Sequence, residues 1–429
     1  MGLSPPPPAG QSPAPPSPSP TEWERGRGAG GEGVRAPRVI LKPGREKSAR
    51  QRHPWVFSGA IAGLEGTPQP GAVVEVTDSS GQFLARGTYS PRSQIRVRLC
   101  TWDAQEEVDR GFLQRRLERA LAGRAALLQD PSTTACRLVH AESDGLPGVI
   151  VDRYGPFLVL QLLSQGAESW RAELVALLAE MVSPQGIYER DEVGVRRLEG
   201  LRLRSGPLWG EEPPARVEVR EGGRLFLVDI RHGQKTGAYL DQRENRLRVA
   251  ALGAGKEVLD VFTHTGWFAI HAAAQGAAAV VGLDSSADAL ALAAENAQRN
   301  GVAERTHWEE GNAFEVLRAW RAAGRTFDLV ILDPPKFAER QSQVVAACRG
   351  YKDINLLGMQ LLRPGGLLAT FSCSGSVSAD LFQKVVFGAS VDAGRDVQIV
   401  AHLFQGTDHP VLLTFPEGAY LKGLLCRVW

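Results

Sequence analysis

Five consecutive residues, Asp333-Pro334-Pro335-Lys336-Phe337, bring a carboxylate, an ammonium and an aromatic ring to one point of the chain. They follow the apolar run 327–332, which has the length and composition of one buried strand. Two successive prolines cannot donate to a β-ladder, so the strand must end there and a stiff loop must begin. Such a loop can hold a flat polar ring by its edge and its face, as chemistry on a nucleobase requires. For the Asp-Pro-Pro pattern alone, an ordinary exit from a strand is the alternative interpretation.

Three more reactive or acceptor side chains stand at the ends of predicted strands. Asp260 lies near the end of the strand predicted over 258–262, and Asp284 ends the strand predicted over 280–284. Cys373 follows the strand predicted over 367–371. In open parallel sheets, ligands bind beyond the carboxyl ends of the strands. Together with Asp333, these residues predict a single site along one edge of a sheet.

The loop between the first two of these strands favours one class of cofactor. It contains a single glycine, Gly266, and lacks the three-glycine fingerprint of pyrophosphate binding, which argues against NAD and FAD. Asp284 can accept hydrogen bonds from both ribose hydroxyls of an adenosine, although capping of the next helix is an alternative role for it. S-adenosylmethionine is a nucleoside cofactor without a pyrophosphate, and a carboxylate such as Asp260 suits its positively charged groups.

The cysteines predict neither disulfides nor a metal site. The five are scattered without paired spacing, which fits a reducing cytoplasm. Small polar neighbours flank Cys373 where a substrate should sit, which favours a nucleophile over an inert packed thiol. For the other four, Cys100, Cys136, Cys348 and Cys426, a structural role is expected.

Composition and pattern divide the 429 residues into several parts. Residues 1–37 are rich in proline and predict a disordered tail. Short strands broken by turns predict a small β-rich module over 38–108, and a central α+β segment follows over 109–222. Over 223–429 strands and helices alternate, so we expect an α/β fold with a parallel-rich sheet. No run reaches the roughly 18 apolar residues of a membrane span, and no secretory signal is recognisable at the N-terminus.

Basic residues are concentrated near the start of the β-rich module, although the net charge is only +1. The segment 35–52 holds one acid, Glu46, against the basic residues Arg35, Arg38, Lys42, Arg45, Lys47, Arg50 and Arg52. Such a run is either a solvated surface or a site for a phosphate backbone.

Several of these stretches, taken together, resemble the large-subunit ribosomal RNA cytosine-C5 methyltransferase family. They are 234–237, 239–246, 260–271, 333–337, 349–355 and 372–374. His53-Pro54-Trp55-Val56-Phe57 resembles the PUA domain that precedes the catalytic domain in this family. The resemblance extends from residue 38 almost to the end of the chain. Trp267 departs from it, where the family usually has glycine, and so does Asn312, where it usually has aspartate.

The resemblance implies a Rossmann-like methyltransferase domain that uses S-adenosylmethionine. The cofactor-binding residues it implies are Lys235, Gln242, Asp260, Phe262, Thr265, Gly266, Asp284, Asn312 and Asp333. It also implies 23S ribosomal RNA as the partner, no membrane, a cytoplasmic location and a possible homodimer.

Cytosine C5 is a weak nucleophile, so the implied reaction needs covalent activation. We expect the Cys373 thiolate to add to C6, and Asp333 to bond the N3/N4 edge of the base. Lys336 could offset charge on the base or a phosphate, and Phe337 could stack. The proton acceptor at C5 is not identifiable from the sequence. Methylation of an exocyclic nitrogen of adenine or guanine, or a non-catalytic role in ribosome assembly, are the alternatives.

Overall fold

The computed structural model describes residues 36–338 and 340–429. Except for its last two residues, the predicted disordered tail 1–37 lies outside this part of the chain. The prediction of disorder therefore stays a prediction.

The N-terminal part of the described chain is built on a six-stranded sheet. Its strands are β1 (Arg38–Leu41), β2 (Trp55–Phe57), β3 (Ile61–Glu65), β4 (Val73–Thr77), β5 (Phe83–Tyr89) and β6 (Ile95–Thr101), in the order β2-β6-β5-β4-β1-β3. The short helix α1 (Lys47–Arg50) lies between β1 and β2. Inward-facing residues such as Val39, Val74 and Val97 form a small core of their own.

A second sheet of five strands, ordered β11-β10-β9-β8-β7, follows in the central segment. Its strands are β7 (Ala135–His140), β8 (Val149–Tyr154), β9 (Phe157–Leu162), β10 (Gly186–Arg190) and β11 (Ser205–Gly210). The helices here are α2 (Arg110–Ala122), α3 (Ala125–Gln129), α4 (Gln165–Ser169), α5 (Arg171–Val182) and α6 (Val195–Glu199). The hairpin of β12 (Val217–Glu221) and β13 (Arg224–Val228) leads into the C-terminal part.

The C-terminal part is built on a seven-stranded sheet in the order β16-β15-β14-β17-β18-β20-β19. Its strands are β14 (Glu257–Val261), β15 (Ala279–Asp284), β16 (Thr306–Glu310), β17 (Phe327–Leu332), β18 (Leu362–Ser372), β19 (Val397–Phe404) and β20 (Lys422–Val428). The helices are α7 (Arg243–Ala250), α8 (Trp267–Ala274), α9 (Ala287–Arg299), α10 (Ala313–Ala322), α11 (Val344–Gln360) and α12 (Ala379–Ala393). The first five strands pair in parallel, whereas β20 is antiparallel to both of its neighbours.

Both faces of this sheet are covered by apolar packing. Along β17, Leu329 and Ile331 belong to the core on one face, while Val330 and Leu332 belong to the core on the other. A strand buried on both faces has no polar side to mark it, which is why it appears in the sequence as a continuous apolar run. The loops after β14, β15, β17 and β18 consequently share one edge, as the sequence predicts.

Several element boundaries differ from the predicted ones. Apolar residues at helical spacing predict one helix over 109–128, but the structure has two, α2 and α3, and the buried Arg124 at their junction pairs with Asp144 at 2.8 Å. The sequence pattern predicts a helix over 354–362, but the structure has α11 begin at Val344. The run Pro364-Gly365-Gly366, expected to precede the next strand, lies inside β18 at a shift in its pairing with β17. Ser285, with Asp288 three residues later, has the pattern of a capping box, but the residue that caps α9 is Ser286, whose hydroxyl accepts from the Ala289 N–H.

No helix within the described ranges is long and apolar enough to cross a membrane.

Candidate active site

The parallel strands bring the predicted site residues to one edge of the sheet. Asp260 stands one residue before the end of β14, and its register partners are Gly282 on β15 and Ile331 on β17. Asp284 ends β15, while Asp333 directly follows β17 and Cys373 directly follows β18. Since β14 lies between β15 and β17, Asp260 has the carboxylate of Asp284 on one side and that of Asp333 on the other.

Asp260 is the most deeply buried of these carboxylates, with 1% of its surface exposed. Its Oδ2 atom accepts from the Thr263 hydroxyl and, at 3.1 Å, from the Ala269 N–H. Its Oδ1 atom has no hydrogen-bond partner among the described residues. Burial, together with the nearby charges of Asp333 and Asp284, raises the pKa of Asp260 to about 7. An acceptor left unpaired inside the fold suits a ligand that brings a positive charge or a donor.

Asp333 lies close to a second carboxylate, that of Asp241, which had not been predicted as part of the site. Burial and the charge of Asp241 raise the pKa of Asp333 to about 7, against the opposing effects of Gln242 and Arg246. The Gln242 side chain is 2% exposed, and Asn245 donates to its Oε1 atom at 2.6 Å. Its amide nitrogen has no other partner in the described structure and faces Asp333, whose pKa it lowers. The pair can offer both a titratable carboxyl and an amide donor to a polar ring.

Cys373 is half-buried, and its surroundings contain both signs of charge. Burial and Asp333 raise the pKa of the thiol to about 11, with a further contribution from Asp241, whereas Lys235 and Lys336 act in the opposite direction. The structure thus brings Asp333, Lys336 and Cys373 together, as the sequence predicts. It places the charge of Lys235, predicted to hold the cofactor, near the thiol.

The loop that carries Cys373 is fastened by its neighbour Ser374, which is fully buried. The Ser374 hydroxyl accepts from the Ala338 N–H at 3.2 Å and lies 2.9 Å from the Tyr351 hydroxyl. Tyr351 also packs against Phe337, with ring centroids 4.7 Å apart. A side chain on Gly350 would press on the Phe337 ring at 3.3 Å. The sequence motif 349–355 on α11 therefore contacts both the loop after Asp333 and the loop after Cys373, and Phe337 is half-buried against it.

The loop after β14 has an unusual backbone. Phe262 and His264, neither of them glycine, have φ values of 65° and 51°, and Gly266 has 82°. Non-glycine residues in this region are strained and cluster at ligand sites. Asp284 fixes the loop because its Oδ2 atom accepts from the His264 N–H at 2.8 Å. Phe262 is half-buried and Thr265 is 8% exposed, so both line this strained turn.

Close packing, as well as the positive φ, requires glycine at position 266. A Cβ atom there would lie 2.7 Å from the Trp308 ring. The two departures from the family pattern are explained similarly by local structure. Trp267 stacks on Phe226 with centroids 4.1 Å apart and an interplanar angle of 15°, and it begins α8. Asn312 caps α10, since its Oδ1 atom accepts from the Phe314 N–H at 2.9 Å.

Comparison with known proteins identifies the family. A PUA-like domain matches residues 39–102, and an S-adenosylmethionine-dependent methyltransferase domain matches residues 202–395. Ribosomal RNA large subunit methyltransferase I of Klebsiella pneumoniae (strain 342) is 49% identical over 393 residues, which are 91% of this chain and 98% of that protein. The protein of the same name from Salmonella arizonae is 50% identical over 393 residues, with the same shares of both chains. The chain belongs to the ribosomal RNA large subunit methyltransferase I family.

Solved structures agree with this family in fold. A SAM-dependent methyltransferase from Streptococcus mutans superposes with a TM-score of 0.78 at 21% identity, over 91% of this chain and 99% of that one. A methyltransferase complexed with SAH gives a TM-score of 0.80 at 22% identity, over the same shares. The predicted fold class, a Rossmann-like methyltransferase domain preceded by a PUA-like domain, is confirmed. The protein is an S-adenosylmethionine-dependent methyltransferase, as the sequence predicts.

Sequence reasoning gave no role to several residues that the fold brings into this methyltransferase site. Tyr239 lies among Asp333, Cys373 and Asp284, and burial with these charges raises its pKa to about 12. Asp241 accepts from the Tyr420 hydroxyl at 2.7 Å. Tyr239 and Asp241 both lie in the stretch 239–246, which resembles the family, so this stretch could have indicated them as site residues. Lys422 on β20 had no motif around it.

Proposed function

We propose that this enzyme methylates C5 of a cytosine in 23S ribosomal RNA through a covalent bond to Cys373. The observation that carries the proposal is the grouping of Cys373 and Asp333 at the ends of neighbouring parallel strands. Their loops are tied together by Ser374, so a base held by Asp333 would lie within reach of the thiol. The names of the relatives and the PUA-like domain support ribosomal RNA as the substrate.

The residues around β14 and β15 fit S-adenosylmethionine. Asp260 offers an unpaired buried oxygen toward the site, which suits the positively charged end of this cofactor. Asp284, with a half-buried carboxylate at the end of β15, would accept from the ribose hydroxyls. Phe262, Thr265 and Gly266 would shape the loop between them. When bound, the cofactor supplies an electrophilic methyl group.

Cys373 would act first, and Asp333 would make its addition possible. The sulfur of the thiolate forms a bond to C6 of the base, which shifts electron density to C5. With a pKa near 7, Asp333 can be protonated and donate to N3, whereas the free amide of Gln242 can turn toward the same edge. Once C5 carries the methyl group that the cofactor would supply, loss of its proton to a base would let the C6–S bond break and free the thiolate. Lys336, exposed beside the thiol, would meet a phosphate of the bound RNA.

The experiment that tests the proposal uses substrate RNA with 5-fluorocytidine, because fluorine cannot leave C5 as a proton does. The unchanged enzyme with S-adenosylmethionine should form a protein–RNA adduct that survives denaturing electrophoresis. Cys373→Ala should lose the adduct and methylation but keep cofactor affinity. Cys348→Ala is the matched control, since Cys348 is the other half-buried cysteine of the described chain and lies on α11. It should keep both activities.

If Cys373→Ala still methylates RNA, the covalent route fails, and methylation of an exocyclic nitrogen replaces it. The protein would work in the cytoplasm, where its substrate is assembled. The homodimer stays a prediction that analytical ultracentrifugation can check.

A further inference from the structure

Lys422 is a buried cation beside the proposed nucleophile. Only 7% of the residue is exposed, and its Nζ atom donates to the carbonyl oxygen of Ser374 at 2.6 Å. No carboxylate of the described ranges forms an ion pair with it, although most other deeply buried cations here have one. Burial of an unpaired charge is unfavourable and is usually retained for function.

The position of Lys422 relates it to both neighbours of Cys373. It begins β20 and lies opposite Ser372 in the antiparallel ladder with β18. Its side chain then reaches past Cys373 to the carbonyl of Ser374. The residues before and after the thiol are thus both held by one lysine, and its ammonium must lie close to the turn that presents the sulfur.

We propose that Lys422 is a positioning residue that holds the Cys373 loop and stabilises the thiolate with its charge. The proposal rests on the proposed function, in which Cys373 is the nucleophile. The thiol releases its proton to solvent and the sulfur becomes anionic. Lys422 keeps its own proton, balances the new charge and forms no bond to the base.

The other charged groups around the Cys373 thiol do not by themselves stabilise its thiolate. The charged and titratable groups facing Cys373 are Asp333, Asp241, Lys235, Lys336, Lys422, Tyr239 and Tyr351. Burial and the two carboxylates raise the pKa of the thiol, and Lys235 and Lys336 oppose them from exposed positions. Solvent and salt screen exposed charges far more than a buried one.

The charge of Lys422 is available at neutral pH. Burial lowers its pKa to about 8, Cys373 acts against this change, and Lys336 adds to it. At pH 7 most of the Lys422 side chains therefore remain protonated, and the stabilisation of the thiolate should fade above pH 8.

Alkylation of Cys373 by iodoacetamide, followed by peptide mass analysis, measures its thiolate without RNA or cofactor. At pH 7, Lys422→Met should slow the alkylation of Cys373 roughly three- to tenfold, as expected for up to about one unit of pKa. Lys422→Arg should keep the rate within about twofold, because the charge remains. Cys348 in the same molecules is the internal control and should react at an unchanged rate.

Lys422→Gln separates charge from support, because its amide can still donate to the Ser374 carbonyl. If the charge of Lys422 stabilises the thiolate, Lys422→Gln should slow the alkylation of Cys373 as much as Lys422→Met does. If Lys422→Gln is alkylated as fast as the wild-type protein, the proposal is overturned. Faster alkylation would also overturn it, since a lysine that only props the loop would expose the sulfur when removed. Should Lys422→Met fail to fold, Lys422→Gln decides alone. Failure of the unchanged enzyme to trap 5-fluorocytidine would reject the proposed function whatever these rates are.

Discussion

The backbone N–H of Ala338 donates to the Ser374 hydroxyl at 3.2 Å, which joins the loop after Asp333 to the loop after Cys373. The two loops leave neighbouring strands, β17 and β18, whose ladder pairing ends at Leu332 and Thr370. Beyond these residues Ser374 links the loops from a fully buried position, with the Tyr351 hydroxyl 2.9 Å away. The geometry between the proposed nucleophile and the carboxyl that holds the base therefore depends on this hydroxyl as well as on the strand pairing.

Ser374→Ala should reduce kcat by more than its effect on stability suggests. Loss of the hydroxyl leaves the buried Ala338 N–H unpaired, which costs about 1–3 kcal/mol. A misplacement of the loops should lower kcat roughly tenfold or more, with an unchanged cofactor Kd. Ser390→Ala is the control, because Ser390 is also buried but donates to the Phe387 carbonyl oxygen within α12 and not to either loop. If both variants lower kcat equally at matched thermal stability, Ser374 has no special role.

Asp284→Ala should weaken S-adenosylmethionine binding. Each charge-assisted hydrogen bond that is lost costs about 1.5–3 kcal/mol, or roughly 10- to 150-fold in Kd. Because the Asp284 carboxylate also fixes the His264 and Ser286 N–H groups, Asp284→Asn serves as a milder variant that keeps one acceptor. Asp288→Ala, on the exposed first turn of α9, is the control. Calorimetry that finds the same affinity for all of these proteins would exclude Asp284 from the cofactor site.

Asp333→Asn should abolish methylation yet make the free thiol more reactive. The negative charge of Asp333 raises the pKa of Cys373, so its removal lowers that pKa and increases the thiolate fraction. The pKa of Asp333 is itself about 7, so the difference should appear above pH 7 and vanish below it, where Asp333 is protonated and uncharged. Alkylation of Cys373 at pH 8 should be about three- to tenfold faster than in the unchanged protein. Asp328→Asn, at the far end of β17, should have no effect; a slower reaction in Asp333→Asn would contradict the assigned electrostatics.

The sequence could predict the edge of the site but not its supports. Asp260, Asp284, Asp333 and Cys373 follow apolar strands, and the topology rule for parallel sheets places such residues together without knowledge of their packing. Lys422 is different, because it reaches the site only through the antiparallel strand β20, about fifty residues further along the chain. The stacking of Trp267 could not be predicted from the sequence either, since its partner Phe226 comes from the hairpin before the sheet.

Some basic residues around α1 form ion pairs and others do not, and we expect the unpaired ones to contact RNA. Arg45, Lys47 and Arg52 are exposed and form no ion pair within the described ranges, whereas Arg50 pairs with Asp78 at 2.7 Å. Changing the three free residues to glutamine should weaken RNA binding and reduce the salt slope by about 2–3, at 0.7–0.9 for each lost phosphate contact.

A control with the same change in net charge tests whether position matters. Three arginines that already pair with carboxylates serve for it: Arg110, Arg216 and Arg299. Their replacement by glutamine should leave the salt slope nearly unchanged. Equal slopes for both triple variants, measured by filter binding between 50 and 200 mM salt as a convenient range, would remove the α1 surface from the RNA footprint.

Glu221 should contribute stability that disappears in acid. Its carboxylate is fully buried and accepts from Arg246, with one bond of 2.6 Å, and from His271 at 3.1 Å. Burial alone would raise the pKa of Glu221, but Arg246 and His271 outweigh burial and lower it from 4.5 to about 2. A carboxyl with a lowered pKa stabilises the fold above its ordinary pKa, and this stabilisation is lost as the pH falls from about 4.5 toward 2. At pH 7, Glu221→Gln should therefore lower the free energy of unfolding by up to about 3 kcal/mol.

Urea unfolding of the two proteins at pH 7, 4.5 and 3 tests the sign as well as the size of this effect. The gap between their urea midpoints should be largest at pH 7 and should narrow toward pH 3, because protonation of Glu221 makes the unchanged protein resemble the variant. Glu218→Gln, which removes a half-exposed partner of Arg299 from the same strand, should shift the midpoint far less at every pH. A gap that stays constant from pH 7 to pH 3 would mean that the Glu221 charge does not stabilise the fold.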